Sequence, residues 1–197
     1  MFLARLGIKI VWIFMLALTG CSSLPVKEEG KYSVAERKPM YEIDRWSFEG
    51  RLSVRTKKDS WQANIGWVHG FGGDELKLSG PLGQGVIKLR LTKDLVILER
   101  GGGKIISSNN FEDFINHQMG MFVPVQSFRY WVVGLPEPSS QFIEIIDGFK
   151  QAGWLVEFGQ MQRVSDYMMP RKVTVTNEHV KLKLMIDQWD LNDTRIK

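Results

Sequence analysis

The chain has 197 residues, of which 44% are apolar and 24% charged, a composition typical of one globular domain with a sizeable core. Its 26 lysine and arginine residues exceed its 22 acidic residues by four, and two of the 26, Arg5 and Lys9, lie near the start. The rest of the chain is therefore nearly balanced in charge, which argues against a nucleic-acid partner. A single cysteine, Cys21, excludes a disulfide bond within the chain.

Residues 1–20 have the pattern of a lipoprotein signal peptide. A basic start without acids is followed by residues 10–18, which are wholly apolar but shorter than the roughly 20 residues that a membrane-spanning helix needs. Leu18-Thr19-Gly20-Cys21 then resembles a bacterial lipobox, in which the cysteine becomes the acylated N-terminus of the mature protein. We therefore predict lipidation at Cys21. The alternatives are a buried free cysteine and an uncleaved N-terminal anchor.

The segment after Cys21 is predicted to be a tether between the lipid and the domain. Residues 22–40 mix charged residues, proline and serine with few large apolar side chains. We assign 21–40 to the lipidated N-terminus and a flexible tether, with a short helix possible over 36–45, and 41–197 to a single domain. The residue after Cys21 is Ser22 and not aspartate. By analogy with the bacterial sorting rule, this favours the outer membrane over retention in the inner membrane.

A period-two alternation begins at Trp46 and predicts strands with one buried face. In WSFEGRLSVRT, apolar residues such as Phe48 and Val54 alternate with polar ones, and WQANIGW repeats the pattern after a polar turn. The segments DELKLSG, QGVIKLRLT, LVILER and GGGKIIS follow at short spacing. The first half of the chain therefore predicts an antiparallel meander.

Two segments then change to helical spacing. In NNFEDFINHQMG, Asn110 suits the N-cap and Gly120 suits the stop. In PVQSFRYWVVGLP, Pro124 suits the first turn, and Gly134 and Pro136 end the helix. The apolar stripes of the two helices are Phe111, Phe114, Ile115 and Met119, and Val125, Phe128, Trp131, Val132 and Leu135.

Strands return in QFIEII, GWLVEFGQM, RKVTVTN and HVKLKLMIDQW. A long antiparallel sheet with one apolar face must cover that face, either by closing into a barrel or by packing helices on it. Only two or three amphipathic helices are available. We therefore predict a mainly β fold with helices (α+β): an incomplete, strongly curved antiparallel barrel with a helical lid over an apolar cavity.

The sequence gives little support for an enzyme. His69, His117 and His179 lack the HxH or HExxH spacing of a zinc site, and there is no second cysteine to add. No GxSxG motif is present, and Gly101-Gly102-Gly103 joins two strands rather than a strand and a helix, unlike a phosphate-binding loop. We expect no catalytic residues, no metal site and no cofactor.

Aromatic residues are the more suggestive signal. For any one tryptophan, core packing is the simpler interpretation. Six in one domain instead suit a pocket for a large apolar ligand. They are Trp46, Trp61, Trp67, Trp131, Trp154 and Trp189.

Two stretches carry a resemblance to a known family. They are SGPLGQG at 79–85 and FRYWVVGLP at 128–136. Together with the lipobox, Met169-Pro170 and the closing LKLMIDQW, they resemble the LolB family of outer-membrane lipoprotein receptors. The resemblance covers 18–21 and roughly 46–190, and the tether and the glycine content of the first stretch depart from the family pattern. It implies an incomplete barrel with a helical lid.

The resemblance also implies site residues. The cavity tryptophans of the family carry over to Trp67, Trp131 and Trp154. Its membrane-insertion loop carries over to Pro81-Leu82-Gly83, which would project an exposed leucine. A hairpin tip usually carries Asn, Asp or Gly, so a leucine there points to a function. The alternative is that Leu82 folds back onto the sheet.

The function implied is acceptance of triacylated lipoproteins from a periplasmic, LolA-like carrier and their insertion into the outer membrane. The protein would be a monomer on the periplasmic face, attached by its lipid and by the Leu82 loop. Three alternatives stay open: a lipoprotein that binds free lipid or lipopolysaccharide, a structural lipoprotein of an outer-membrane assembly machine, and an enzyme. The cargo set and the carrier interface are not predicted.

Overall fold

The structure is a computed structural model that describes residues 32–110, 113, 114, 117 and 123–192. The predicted signal peptide, the lipidation site Cys21 and the tether up to residue 31 lie outside the described residues.

One antiparallel sheet of 11 strands makes up most of the described chain. The first six strands follow one another before the helical segments, and the last five follow them. Their bounds are β1 Trp46–Thr56, β2 Ser60–Gly70, β3 Gly73–Ser79, β4 Ile87–Leu91, β5 Val96–Arg100, β6 Lys104–Ser108, β7 Phe142–Ile145, β8 Gly148–Gln151, β9 Trp154–Val164, β10 Tyr167–Thr176 and β11 Val180–Asp190.

The strand order is β6-β5-β4-β3-β2-β1-β11-β10-β9-β8-β7, so two meanders meet where β1 pairs with β11. Within the described residues β6 and β7 form the two edges and do not pair with each other. The sheet is therefore open, which confirms the predicted mainly β fold with one strongly curved antiparallel sheet and is consistent with the predicted incomplete barrel. Strand β8 was not predicted, because GFKQ is too short to show a period.

The inner face of the sheet is the apolar face that the alternation predicts. Phe48, Leu52 and Val54 of β1 are buried, whereas Glu49 and Arg51 of the outer face are exposed. In β11, Leu182 and Leu184 lie opposite Val54 and Leu52, so the two strands contribute to one core. The predicted phase of both strands is confirmed.

The sheet bends sharply, and β1 has an irregular register at one of the bends. The pairing of β1 with β11 shifts between Glu49 and Gly50, a β-bulge that increases twist and curvature. A Cβ atom at Gly50 would lie 2.3 Å from the Met185 carbonyl oxygen, so only glycine allows this approach of the two backbones. Further register shifts lie near Pro170 in the pairing of β10 with β9.

Two helices were predicted between the two meanders. Of the first, Asp113, Phe114 and His117 are helical, and the backbone N–H of Asp113 donates to the Asn110 side chain at 3.4 Å, as the predicted N-cap requires. The other residues predicted for this helix beyond Asn110 lie outside the described residues.

The second predicted helix is confirmed at Val125–Val132 and is called α2 here, because a shorter helix precedes it in the chain. Its apolar residues pack into the sheet core. The chain leaves α2 through a Schellman motif: the backbone N–H of Leu135 donates to Tyr130 O and that of Gly134 to Trp131 O, each at 3.0 Å. Gly134 has φ +85°, the left-handed conformation that this motif needs.

An N-terminal strap, residues 32–42, packs against the end of α2. It contains α1 (Val34–Arg37) and a 3₁₀ helix (Lys38–Glu42). Val34, Arg37 and Met40 are buried. The flexible tether predicted for residues 21–40 is therefore corrected for its described part: residues 32–40 belong to the packed domain, which begins before residue 41.

Arg37 holds the strap in place. Its guanidinium donates hydrogen bonds to the carbonyl oxygens of Gly134 at 2.9 Å, Met168 at 2.7 Å and Val133. Burial lowers the pKa of Arg37 to about 10, so the side chain still carries its charge at neutral pH. Tyr32 and Tyr41 donate to the carbonyls of Gly134 and Pro136, which adds two more ties to the same segment. The buried carbonyls after α2 thus obtain donors from the strap.

We predict that Gly134→Ala destabilises the domain by about 2 kcal/mol or more, which lowers the melting temperature by at least about 4 °C. Alanine is strained at φ +85°, and its Cβ would lie 2.4 Å from Arg37 Nε. Thermal unfolding followed by circular dichroism measures the change.

The matched control is Gly102→Ala, at φ +89° with no atom within 4 Å of the added Cβ. This variant carries the backbone strain without the clash. Equal losses of stability in the two variants would show that contact with Arg37 adds nothing.

Candidate functional site

An apolar cavity lies between the inner face of the first meander and α2. Strands β1 to β5 and β11 supply most of its lining, and Val125 and Phe128 of α2 close it from the other side. Among the described residues, no polar side chain lines it. The arrangement follows from the alternation, since every strand that borders it points its apolar phase inward.

The cavity has a volume of about 80 Å³. Ligand sites in proteins usually measure about 300 to 1,000 Å³. The cavity as it stands therefore admits only part of a long acyl chain, and a larger ligand requires its walls to separate.

The three tryptophans predicted for a cavity are buried in the core but do not line this one. Trp67 and Trp131 have no exposed surface and Trp154 is 3% exposed. Trp67 stacks on Phe128 at 5.9 Å between ring centroids, and Trp131 lies 6.0 Å from Trp154. Trp67 is thus one ring behind the cavity wall, and the role of all three in an acyl site stays a prediction.

The indole N–H groups of two of these tryptophans are bound by buried polar side chains that the sequence analysis did not single out. Trp131 Nε1 donates to Gln151 Oε1 at 2.8 Å, and Gln151 is 2% exposed. The amide of Gln151 also accepts from the backbone N–H of Glu137 and donates to the carbonyls of Glu137 and Ser140. Because all its hydrogen-bonding groups are used, Gln151 fixes the segment after α2 to the sheet.

Asp74 is the second such residue. It is 7% exposed, and its Oδ1 accepts from Trp67 Nε1 at 2.9 Å and lies 2.8 Å from His69 Nδ1. Its Oδ2 lies 3.4 Å from an Nη1 of Arg129, on α2. The cluster ties the helix to β2 and β3. The sequence could have indicated that Asp74 is buried, since its side chain lies on the same face of β3 as Leu76 and Leu78.

The predicted membrane-insertion loop joins β3 to β4. The backbone N–H of Gly83 donates to Gly80 O at 2.8 Å, which closes a β-turn with Pro81 and Leu82 at its centre. Leu82 is 92% exposed, and Pro81 and Gly83 are exposed as well. The leucine therefore does not fold back onto the sheet.

This loop borders the apolar cavity. The last inward residue of β3 before it is Leu78 and the first of β4 after it is Ile87, and both line the cavity. A continuous apolar path thus runs from the sheet interior to the base of the loop. No helix among the described residues is long and apolar enough to cross a membrane.

Comparison with known proteins identifies one family. Residues 44–189 match the family model described as LolB, outer membrane lipoprotein LolB. The outer-membrane lipoprotein LolB of Pseudomonas syringae pv. syringae is 29% identical over 192 residues, which cover 91% of this chain and 94% of the relative. That of Nitrosococcus oceani is 27% identical over 199 residues, covering 93% and 97%. That of Pseudomonas fluorescens is 28% identical over 192 residues, covering 91% and 94%.

We predict that Asp74→Ala destabilises the domain by about 3 kcal/mol, because it leaves the donors of Trp67, His69 and Arg129 without their buried acceptor. Urea unfolding followed by tryptophan fluorescence gives the free energy.

Asp187→Ala is the matched control, since Asp187 pairs with Arg51 on the exposed outer face. An exposed ion pair adds little, so this variant should unfold like the parent. A stable Asp74→Ala protein would show that the cluster does not hold α2.

Proposed function

The chain belongs to the LolB family of outer-membrane lipoproteins, and we propose that it accepts triacylated lipoproteins from a periplasmic, LolA-like carrier and inserts them into the outer membrane. The observation that carries this proposal is the all-apolar cavity that runs to the base of a loop with a fully exposed leucine. The binding site for acyl chains and the loop that contacts the membrane would then lie at the two ends of one apolar path.

The transfer needs no nucleotide and no covalent step. Each acyl methylene that leaves water contributes about 0.8 kcal/mol. Small differences in how much of each chain is buried therefore decide the direction, from the carrier to this protein and then to the bilayer. The acyl chains leave a site where less of their surface is buried for a site where more is buried.

The cavity must widen to hold the cargo, and α2 is the wall that we propose moves. Its Val125 and Phe128 close the cavity, whereas the other lining residues, apart from Val123 just before the helix, lie on hydrogen-bonded strands. Withdrawal of Phe128 would bring Trp67, its stacking partner, into the enlarged site. This is how Trp67, and behind it Trp131 and Trp154, would come to contact acyl chains.

We place the protein on the periplasmic face of the outer membrane, held there by acyl chains on Cys21. Leu82 would enter the bilayer surface, because burial of an exposed leucine contributes roughly 1.5 to 3 kcal/mol. The Pro81-Leu82-Gly83 turn would then open a route by which acyl chains leave the cavity.

We expect Leu82→Glu to leave folding and acceptance of cargo from the carrier intact and to block delivery. A charged side chain at the tip cannot enter the bilayer without a large desolvation cost. The assay loads a purified carrier with labelled lipoprotein, adds this protein and liposomes, and measures label in each fraction.

Ile146→Glu serves as the control for this assay, since Ile146 is also an exposed apolar residue, 69% exposed in the turn between β7 and β8. It should deliver cargo at the wild-type rate. Delivery by Leu82→Glu at that same rate would overturn the role of the loop, and failure to accept cargo would make the leucine structural.

We further expect palmitate that is brominated along its chain to quench the tryptophan fluorescence, because its heavy atoms would contact Trp61, which lines the cavity, and Trp67 once the cavity widens. The Trp67→Phe variant should lose more of this quenching than Trp189→Phe, whose indole lies elsewhere in the core and donates to Pro170 O. Equal quenching in the two variants would place the acyl chain away from Trp67. Absence of quenching in the parent protein would count against an acyl site under α2.

A further inference from the structure

A second cavity, of about 520 Å³, lies at the other end of β3 from the Leu82 loop. The turn 70–73 between β2 and β3, the turn 92–94 between β4 and β5, and Gln126 and Arg129 of α2 form most of its lining. Its volume falls within the range of about 300 to 1,000 Å³ that is usual for ligand sites. We call it the polar cavity.

The polar cavity and the apolar cavity follow one another along the inner face of the β3–β4 hairpin. Three inward pairs mark the path. Asp74 and Leu91 line the polar cavity, and the next two pairs along the strands line the apolar one; these are Leu76 with Leu89 and Leu78 with Ile87. Val125 of α2 lines both cavities, so α2 stands over the point where they meet.

Charges of both signs line the polar cavity. Lys93 and Arg129 are basic, and Asp74 and Asp94 are acidic. A phosphate group would gain two cations but would lie near two carboxylates, one of them buried, so the balance disfavours an anionic ligand. A neutral ligand with many donors and acceptors suits this lining better.

Arg129 supplies the most specific feature. It lies 3.4 Å from Asp74 through Nη1, and no acceptor among the described residues binds its Nε, which is shielded from solvent. A buried donor without an acceptor costs free energy. A carbonyl oxygen of a ligand would recover this cost if the partly exposed guanidinium turned its Nε toward the cavity. The turn 70–73, three of whose four residues are glycine, also lines the cavity.

We propose that the polar cavity holds the peptide stem of the cargo, the residues directly after its acylated cysteine. The inference rests on the proposed function, because the stem is placed by acyl chains in the apolar cavity. A peptide supplies the carbonyl acceptors that Arg129 lacks and donors for the carboxylates. The cargo then binds in one direction, with its acyl ends toward the Leu82 loop and its polypeptide leaving past the turns 70–73 and 92–94.

The first test compares two probes on the purified protein. One is a synthetic tripalmitoylated cysteinyl hexapeptide and the other is palmitate, which lacks the stem. Arg129→Met should reduce the ratio of hexapeptide affinity to palmitate affinity about tenfold or more, since a charged hydrogen bond is lost. Arg51→Met, which removes an arginine paired with a carboxylate on the outer face, should keep the parent ratio.

The second test uses the parent protein, so it does not depend on how a variant folds. A photocrosslinker on the third residue of the hexapeptide should label residues of the turns 70–73 or 92–94. A photocrosslinker at the end of an acyl chain should label Leu78, Ile87 or the 80–86 loop. Labelling in the reverse order, or stem labelling elsewhere, overturns the inference.

The two proposals fail differently. If neither probe binds, the acyl site fails and the stem site fails with it. If palmitate binds and the ratio in Arg129→Met equals the parent ratio, the acyl site stands and the stem inference is wrong. If Arg129→Met instead weakens binding of phosphatidylglycerol and not of the hexapeptide, the polar cavity is a phospholipid headgroup site and the inference is again wrong.

Discussion

The packing of α2 against the inner face of the sheet is the contact on which the rest of the structure depends. An open sheet with one apolar face leaves that face in water unless another element covers it. Here a helix of 8 residues covers its middle, and a helix of that length has little stability of its own in water. A row of rings fixes its place: Trp67 on Phe128 at 5.9 Å, Phe128 near Trp131 at 6.4 Å and Trp131 near Trp154 at 6.0 Å.

The two ends of α2 are attached with unequal strength. The segment after its C-terminal end is fixed by the Schellman motif, by the Arg37 guanidinium and by Gln151, all bound to backbone carbonyls or N–H groups. The rest of the helix is held by apolar contacts and by the Arg129–Asp74 pair, which joins the helix to β3 at 3.4 Å. The N-terminal half is also the part that closes the cavity. In the opening that we propose, this half would therefore lift about the fixed C-terminal end.

Most of the strands, and the place of α2 along the chain, could be predicted from the sequence because they depend on local periodicity. The inward phase of β1 and β11 and the apolar stripe of α2 are visible in short windows, as is the Gly134 stop. Arg37 could not be found in this way. It lies in a stretch of charged residues that reads as a solvated tether, and its carbonyl partners are 96 to 131 residues away in sequence.

The candidate site likewise has features that local sequence predicts and features that it does not. The exposure of Leu82 follows from turn chemistry that is local, and Asp74 could have been found from its phase on β3. The sequence could not predict how far Trp67, Trp131 and Trp154 lie from the cavity, because this distance depends on how deeply α2 packs into the sheet. The family resemblance points to these three tryptophans but does not show how far behind the cavity wall they lie. That depth places Phe128 between the cavity and Trp67.

The open edges of the sheet offer a second way to enlarge the interior. A closed barrel can enlarge its interior only by breaking inter-strand hydrogen bonds, whereas an open sheet can uncurl with every ladder intact. The edge strands β6 and β7 are short, 5 and 4 residues, and carry Lys104 and Glu144, features that limit pairing with another chain. Within the described residues the two edges do not pair with each other, and neither presents a long unpaired strand. The movement of α2 that we propose and a separation of the two edges would enlarge the same interior, so the cavity of about 80 Å³ would grow toward the size of the proposed cargo while the sheet stays intact.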